Sequence, residues 1–483
     1  MRRTLILFSL GTLVGCGSGA STPDPAASGT PSATAAAPGA ASQTAASAAG
    51  TAATAPTAGA NGQAANQGPR PLTPEQGLAV ARELIVKKDY QNALQVLTKV
   101  IQAKPDYAEA YIQRANLLSA ANRPTLAIED LTAALKVQDD NAKLWNSRGY
   151  LYLLQQQYPA ALADFERATS LDTSFAQPIN NRGLVRVAQG DFETALKDFD
   201  YALQLDPKYF DALNNKGFAY LKLSKLEPAI DAFTQAVTIN PNYINGWVNR
   251  AQAYAESKKF DLAVADYSKL ITLQPGALQF YQMRAEAYRQ LGQTAEAEKD
   301  LSHVSWTQRL VELTRELAKN PKDPAAWVAR GQHLLRQDKL PEALADFSRA
   351  ITENPDCVPA HLGQAAVWHR QGKTADALAI CVGLIEKSGA MEAYSLRGDI
   401  YLAQKKYQAA IADFELAQRF DGQVAQAYLG RAEEYKAQGK IDLASADVEQ
   451  ARSMDPKLRP ANYEVPAKEG PQAARPLPSR SER

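Results

Sequence analysis

One alanine recurs along most of this chain at a nearly constant interval of 34 residues. A large side chain usually follows it after four positions, as Phe165 follows Ala161, and a small residue stands three positions further on. Many units close with an aspartate or asparagine before proline, a pair that ends a helix. A period of this length is typical of stacked helical hairpins, because one hairpin alone cannot bury its apolar face. The alanines of this column are Ala93, Ala127, Ala161, Ala195, Ala229, Ala263, Ala297, Ala343, Ala377, Ala410 and Ala444.

A second group of residues keeps fixed positions within each unit. In one unit these are Trp145, Gly149, Tyr152, Ala161 and Phe165. The combination resembles the tetratricopeptide repeat signature, and the resemblance extends over about residues 74–458. It implies an all-α fold, a right-handed superhelical solenoid of about eleven helix-turn-helix repeats. The glycine at position 149 would let the first helix of its hairpin approach the second closely.

The period is interrupted once, between the repeat that starts at Leu278 and the one that starts at Pro324. Residues 294–319 contain neither proline nor glycine and carry leucine and valine at helical spacing, which predicts one long helix or two nearly continuous ones. We therefore predict a solenoid split into seven and four repeats by a connecting helix. The predicted segments are seven repeats over 74–311, a helical connector over 312–323, four repeats over 324–458 and a disordered tail over 459–483.

Where the tetratricopeptide pattern has leucine before the glycine, this chain usually has arginine. The same eight repeats carry an aspartate on the second helix, and the other three repeats lack both residues. Joint gain and loss within one repeat predicts a bidentate ion pair inside the hairpin. The alternative is a set of exposed charges repeated by duplication. The pairs that we single out are Arg148 with Asp164, Arg182 with Asp198 and Arg250 with Asp266.

In tetratricopeptide arrays the first helix of each hairpin usually lines the concave surface, so the resemblance places a partner-binding groove there. Asparagines recur on these helices at 34-residue spacing. A carboxamide both donates and accepts hydrogen bonds, which suits an extended peptide backbone, although an inherited structural role is the alternative. Aromatic residues one turn further would add apolar area. The predicted partner-binding residues are Asn146, Tyr150, Asn180, Asn181, Asn214, Asn215, Phe218, Asn249 and Gln252.

The amino terminus has the composition of an export signal. Met1-Arg2-Arg3 precedes an apolar stretch that is too short to span a bilayer as a helix, and Leu13-Val14-Gly15-Cys16 follows. The last four residues resemble the lipobox of bacterial lipoproteins, which implies a signal peptide over 1–15, cleavage before Cys16 and acylation of that cysteine. An ordinary signal peptide with an incidental cysteine is the alternative. Gly17 favours sorting to the outer membrane, facing the periplasm, over retention at the inner membrane.

The segment that follows lacks the residues from which a core is built. Residues 17–70 contain no Val, Leu, Ile, Met, Phe, Trp or Tyr, so ordering this segment would bury almost nothing. With the lipidated Cys16 it is predicted to be a disordered tether over 16–70. The other cysteines, Cys357 and Cys381, provide no disulfide framework, and whether they form a bridge is left open. Four histidines are too sparse to predict a metal site.

Composition and motifs limit the function. A net charge of +1 without basic blocks predicts no nucleic-acid partner. A phosphate-binding loop, a zinc-binding helix and a nucleophile elbow are all missing from the sequence, so we predict neither an enzyme nor a cofactor. The prediction is a scaffold at the bacterial cell envelope, held in the membrane by acyl chains on Cys16, that binds proteins or extended peptides. The alternative is a periplasmic chaperone-like or recruiting subunit of an envelope assembly or secretion machine. Because no capping helix follows the last hairpin, self-association through the carboxyl-terminal end is a further expectation.

Overall fold

The structure is a computed structural model that describes residues 72–455. Between these residues lie 22 α-helices and no strand, so the predicted all-α class is confirmed. The predicted signal peptide, Cys16, the tether and the tail after residue 458 lie outside the described residues. The described part divides after Asp300 into two compact units, 72–300 and 301–455.

Each unit consists of consecutive helices of similar length. The first unit contains α1 (Pro74–Val86), α2 (Tyr90–Ala103), α3 (Ala108–Ala120), α4 (Pro124–Leu135), α5 (Ala142–Leu154), α6 (Tyr158–Leu171), α7 (Ala176–Gln189), α8 (Phe192–Leu205), α9 (Phe210–Lys222), α10 (Leu226–Ile239), α11 (Ile244–Glu256), α12 (Phe260–Leu273) and α13 (Leu278–Gln290). The second contains α15 (Pro324–Leu335), α16 (Leu340–Glu353), α17 (Val358–Arg370), α18 (Thr374–Ser388), α19 (Met391–Ala403), α20 (Tyr407–Leu416), α21 (Gly422–Ala437) and α22 (Ile441–Met454). The point of division lies within α14 (Thr294–Lys319).

The repeated alanine and aromatic columns form the seam of each hairpin. Ala161 and Phe165 on α6 are fully buried, and Phe165 packs against Gly149 on α5. A methyl group added at Gly149 would stand 2.8 Å from Cε1 of Phe165, closer than van der Waals contact permits. The close helix approach predicted from Gly149 is therefore confirmed.

Repeated side chains also fix the turns between hairpins. The indole Nε1 of Trp145 donates to the carbonyl oxygen of Asp139 at 2.8 Å, and Trp247 makes the same bond to Pro241 at 2.9 Å. In the second unit, His361 occupies the tryptophan position, and its Nε2 lies 2.9 Å from the carbonyl oxygen of Pro355. This histidine therefore acts as a turn residue, in place of the indole.

The compact second unit begins earlier than the connector that we predicted over 312–323. Trp306 and Leu310 of α14 already pack against the core around Phe347. The Trp306 ring stacks on His333 with centroids 5.2 Å apart, and His333 Nε2 lies 2.8 Å from the Trp306 carbonyl oxygen. These contacts explain why α14 joins this unit from residue 301 onward. The grouping into seven and four repeats stays a prediction.

Candidate partner-binding surface

Four first helices of the first unit form a continuous surface. In this stretch α5 contacts α7, α7 contacts α9 and α9 contacts α11 directly, whereas neighbouring second helices make at most marginal contact. Because the first helices lie closer together, the stack curves toward them. We call the surface formed by α5, α7, α9 and α11 the inner face.

Asparagine side chains connect these four helices. Asn181 Nδ2 donates to Asn146 Oδ1 at 2.9 Å, and Asn215 Nδ2 donates to Asn180 Oδ1 at 3.0 Å. One repeat further, Asn249 Nδ2 donates to Asn214 Oδ1 at 2.9 Å. Each bond joins two successive hairpins. The asparagine columns therefore form a ladder of amide hydrogen bonds between first helices.

The ladder changes the role that the sequence suggested for the central asparagines. Asn180, Asn181, Asn214 and Asn215 are 2%, 8%, 0% and 4% exposed, so a peptide backbone has little access to their amides. Their burial and mutual bonding favour the structural role, because a buried amide must be satisfied within the protein. Asn146 and Asn249, at the two ends of the ladder, are half-buried.

The aromatic and polar residues next to the ladder are more accessible. Tyr150 and Phe218 are half-buried, and Gln252 is exposed and donates to Glu256 at 3.0 Å. The ammonium group of Lys222 lies 5.0 Å from the Phe218 ring centroid, a cation–π contact. Of the residues predicted to bind a partner, these three side chains thus lie on the accessible side of the inner face.

The repeated arginines and aspartates meet inside their hairpins. In each pair the arginine Nη2 lies 2.6–2.8 Å from one carboxylate oxygen of an aspartate that is at most 6% exposed. In seven pairs Nε donates to the second oxygen at 2.7–2.8 Å. The pairs are Arg114–Asp130, Arg148–Asp164, Arg182–Asp198, Arg250–Asp266, Arg284–Asp300, Arg330–Asp346, Arg397–Asp413 and Arg431–Asp447.

The Arg182–Asp198 pair differs in geometry because a second arginine enters it. Arg182 Nε lies 3.2 Å from both oxygens of Asp198, while Nη2 donates to Oδ1 at 2.7 Å. Arg186 Nη1 lies 2.5 Å from Oδ2 of the same carboxylate. Two guanidinium groups therefore share one buried aspartate in this hairpin.

Four of the arginines also reach the preceding hairpin, a contact that the sequence analysis did not predict. Arg148 Nη1 donates to Thr132 Oγ1 at 3.1 Å, and the Thr132 hydroxyl itself donates to the Ile128 carbonyl oxygen. The same bond links Arg114 to Thr98, Arg250 to Thr234 and Arg284 to Ser268. A hydroxyl residue 16 positions before the arginine was the available signal.

The pKa shifts of the paired side chains show that pairing and burial act in opposite directions. The hydrogen bonds that Arg148 donates to Asp164 raise the pKa of the Arg148 guanidinium, and burial opposes that shift. Burial raises the pKa of the Asp266 carboxyl, and Arg250 only partly offsets this effect. Desolvation thus outweighs pairing at Asp266, whereas the interaction with Asp266 outweighs desolvation at Arg250, whose pKa is raised.

A separate cavity of about 450 Å³ opens on the first helices of the second unit. Arg419 organises its edge: Nη1 donates to Asp399 Oδ1 at 2.7 Å and Nε lies 2.6 Å from Asp421 Oδ2. Burial raises the pKa of Asp399, and Arg419 opposes that shift. The cavity is lined by Ala366, His369, Arg370, Leu396, Asp399, Leu402, Ala403 and Gln423.

The two cysteines of the described residues form no disulfide. Cys357 and Cys381 are free thiols, and burial raises the pKa of Cys381 to about 11. Between residues 72 and 455, no group of three His, Cys, Asp or Glu is placed to hold a metal ion. Over the same residues, no helix is both long and apolar enough to cross a bilayer.

Family models agree with this geometry. Models described as tetratricopeptide repeats match residues 112–174, 183–224, 210–243, 244–276, 278–304, 312–356, 328–390 and 392–423. This is a tetratricopeptide repeat protein. Such repeats generally form non-enzymatic scaffolds for protein–protein interaction, and tetratricopeptide proteins commonly bind other proteins or peptides.

One curated relative matches part of this tetratricopeptide repeat protein. The Protein CTR9 homolog of Arabidopsis thaliana is 33% identical over 86 residues, which are 18% of this chain. The chain covers only 8% of the length of that relative.

Several solved structures are similar in fold. PilF of Pseudomonas aeruginosa is 20% identical, with a TM-score of 0.38 over 44% of this chain and 97% of its own. A tetratricopeptide repeat protein from Parabacteroides merdae is 21% identical, with a TM-score of 0.33 over 54% and 98%. YrrB, described as a TPR protein with an unusual peptide-binding site, is 24% identical, with a TM-score of 0.30 over 38% and 95%. At these identities the likeness concerns the fold alone.

Proposed function

We propose that this protein is a membrane-anchored scaffold at the bacterial cell envelope, and that it binds partner proteins or extended peptides on the inner face. The observation that carries the proposal is the ladder of amide bonds across α5, α7, α9 and α11. A surface whose helices are already held together loses little conformational entropy when a partner binds. Tyr150, Phe218 and Gln252 supply aromatic and polar contact area beside the ladder.

A comparison of two triple variants tests the inner face. The first carries Tyr150→Ala, Phe218→Ala and Gln252→Ala; the control carries Leu126→Ala, Tyr201→Ala and Leu262→Ala on exposed second-helix positions. Both variants are purified from envelopes after circular dichroism has verified their helicity. We expect a defined set of co-purifying proteins to fall at least tenfold with the first variant and to persist with the control.

The same experiment separates the two forms of the function. A small set of folded partners supports a scaffold, whereas a broad set of unfolded chains supports the chaperone-like or recruiting subunit. Equal recovery of partners by the inner-face variant and by wild type would exclude the inner face as the partner-binding surface. Self-association through the carboxyl-terminal end stays a prediction, which the mass of the purified protein in light scattering tests.

The membrane anchor rests on the lipobox resemblance around Cys16 and needs its own test. Metabolic labelling with a palmitate analogue should mark wild type and a Cys357→Ser control, but not Cys16→Ser. Density-gradient separation of the membranes should place the labelled protein in the outer-membrane fraction. Label that survives in Cys16→Ser, or recovery of unlabelled wild type in the soluble fraction, would contradict the anchor.

A further inference from the structure

Three polar groups on the inner face lack hydrogen-bond partners. Asp211 Oδ1, Asn214 Nδ2 and the Tyr243 hydroxyl are buried, and none of them makes a hydrogen bond of ordinary geometry within residues 72–455. Asp211 and Asn214 are one turn apart on α9, and Tyr243 immediately precedes α11. Buried polar groups are nearly always satisfied, so three orphans in one place suggest a missing occupant.

The repeat register brings the three groups together. One hairpin earlier, the Asn180 side chain is a hydrogen-bonding neighbour of the Tyr209 hydroxyl. Tyr243 and Asn214 stand 34 residues after these two, in the same positions of the next hairpin. The Tyr243 hydroxyl also faces the Asp211 carboxylate, and burial raises the pKa of both groups. The Asp211 carboxylate, the Tyr243 hydroxyl and the Asn214 amide therefore form one cluster.

The negative charge of Asp211 favours a cation over a water molecule as the occupant of this site. Within the described residues Asp211 has no ion pair, whereas the eight hairpin aspartates each face an arginine. Water would satisfy the hydrogen bonds but would leave a largely desolvated negative charge without compensation. A cationic group would satisfy both requirements.

The surroundings of the carboxylate also suit a cation. The rings of Phe210 and Tyr243 meet edge to face with centroids 4.9 Å apart. Phe210 and Asp211 are half-buried, so both residues keep some contact with solvent, although Asp211 Oδ1 itself is buried. Aromatic walls attract a cation through the negative faces of their rings.

We propose that Asp211 receives the ammonium or guanidinium group of a lysine or arginine from a segment bound on the inner face. Tyr243 and Asn214 border the carboxylate in this contact, and their hydroxyl and amide groups remain available to the bound segment. This inference rests on the proposed function and specifies the chemistry of one contact within it.

Selection of random twelve-residue peptides on the purified full chain tests the inference. The targets are wild type, Asp211→Asn and a control, Asp261→Asn, which removes the same charge from an exposed position of α12. The fold should accept asparagine at 211, because Asn245 occupies the equivalent position of the next hairpin. We expect lysine or arginine to be enriched at one peptide position on wild type and on the control, and not on Asp211→Asn.

A selected peptide is then synthesised with arginine or with the neutral analogue citrulline at the enriched position. We expect citrulline to weaken binding to wild type about tenfold or more, and to change binding to Asp211→Asn little. Peptides that bind the inner face without a preferred cation, or whose cation preference survives Asp211→Asn, would overturn the inference and leave the proposed function intact. If no selected peptide is sensitive to the Tyr150, Phe218 and Gln252 substitutions, both proposals fail.

Discussion

Arg148 holds Asp164 through two parallel hydrogen bonds of 2.8 Å, and its third nitrogen reaches Thr132 of the preceding hairpin at 3.1 Å. One guanidinium thus connects both helices of its own hairpin to the hairpin before it. The contact recurs in the first unit at 34-residue steps, from Arg114 to Arg148 and from Arg250 to Arg284. A side chain that orients three helices explains why arginine can replace an apolar residue of the repeat.

Removing one member of this pair should cost far more than removing both. Asp164→Val leaves the Arg148 guanidinium, whose side chain is 13% exposed, without its anion, and we expect a loss of about 3 kcal/mol in the free energy of unfolding. The double variant Arg148→Val, Asp164→Val should recover most of that loss, because the first hairpin carries Val80 and Val96 at these positions. Guanidinium chloride unfolding followed by circular dichroism measures both variants. Equal losses would mean that the unpaired Arg148 guanidinium carries no penalty of its own.

The hydroxyl of Thr132 should matter beyond its own helix. Thr132→Val removes the acceptor for Arg148 Nη1, and we expect a loss of about 1 kcal/mol in unfolding free energy. Thr169→Val is the matched control, since the Thr169 hydroxyl donates only to the Phe165 carbonyl oxygen. The unfolding midpoints of the two variants are compared. If Thr169→Val loses as much stability as Thr132→Val, the effect comes from the bond within the helix and not from Arg148.

The fold was largely predictable, because a fixed period reports directly which residues share an environment. Ala161 and Phe165 predicted the seam, and residues 294–319 predicted the long helix α14. The asparagine columns were harder to interpret, because a 34-residue spacing arises equally from a shared ligand and from mutual bonding between repeats. Sequence alone also did not reveal the Arg148–Thr132 bond, which depends on the distance between successive hairpins.

The asparagine ladder should stabilise the stack and not bind the partner directly. Asn215→Ala leaves the buried Asn180 Oδ1 without its donor, and we expect about 1–3 kcal/mol of destabilisation. Asn242→Ala, at an exposed position, should change the unfolding midpoint little. Partner recovery per folded molecule should fall far less than the tenfold expected for the variant without Tyr150, Phe218 and Gln252, because the contacting side chains remain. A stable Asn215→Ala variant that loses its partners would restore the binding role.

A methyl group at Gly183 should disrupt the seam of its hairpin. An added Cβ would stand 2.6 Å from Cε1 of the fully buried Phe199, so Gly183→Ala should cost about 1–3 kcal/mol in unfolding free energy. Gly276→Ala, which meets no atom within 4 Å, is the control and should be nearly neutral. Adding Phe199→Leu to Gly183→Ala should recover part of the loss in denaturant unfolding. An unchanged midpoint for Gly183→Ala would show that the helices separate at no cost.

Asp211 should destabilise the free protein in a pH-dependent way. Burial holds the pKa of its carboxyl above the ordinary value of 3.8, so the folded state binds the proton more tightly than the unfolded state does. The contribution of Asp211 to the stability of wild type therefore falls as the pH rises from below 3.8 through the raised pKa, and Asp211→Asn lacks this contribution. We expect Asp211→Asn to melt about 1–3 °C above wild type at pH 7. Below pH 3.8 we expect Asp211→Asn and its control Asp261→Asn to melt at the same temperature. Thermal unfolding at both pH values measures the difference. A variant that melts below wild type at pH 7 would mean that the carboxylate already has a partner within the chain, and the case for an external cation would be lost.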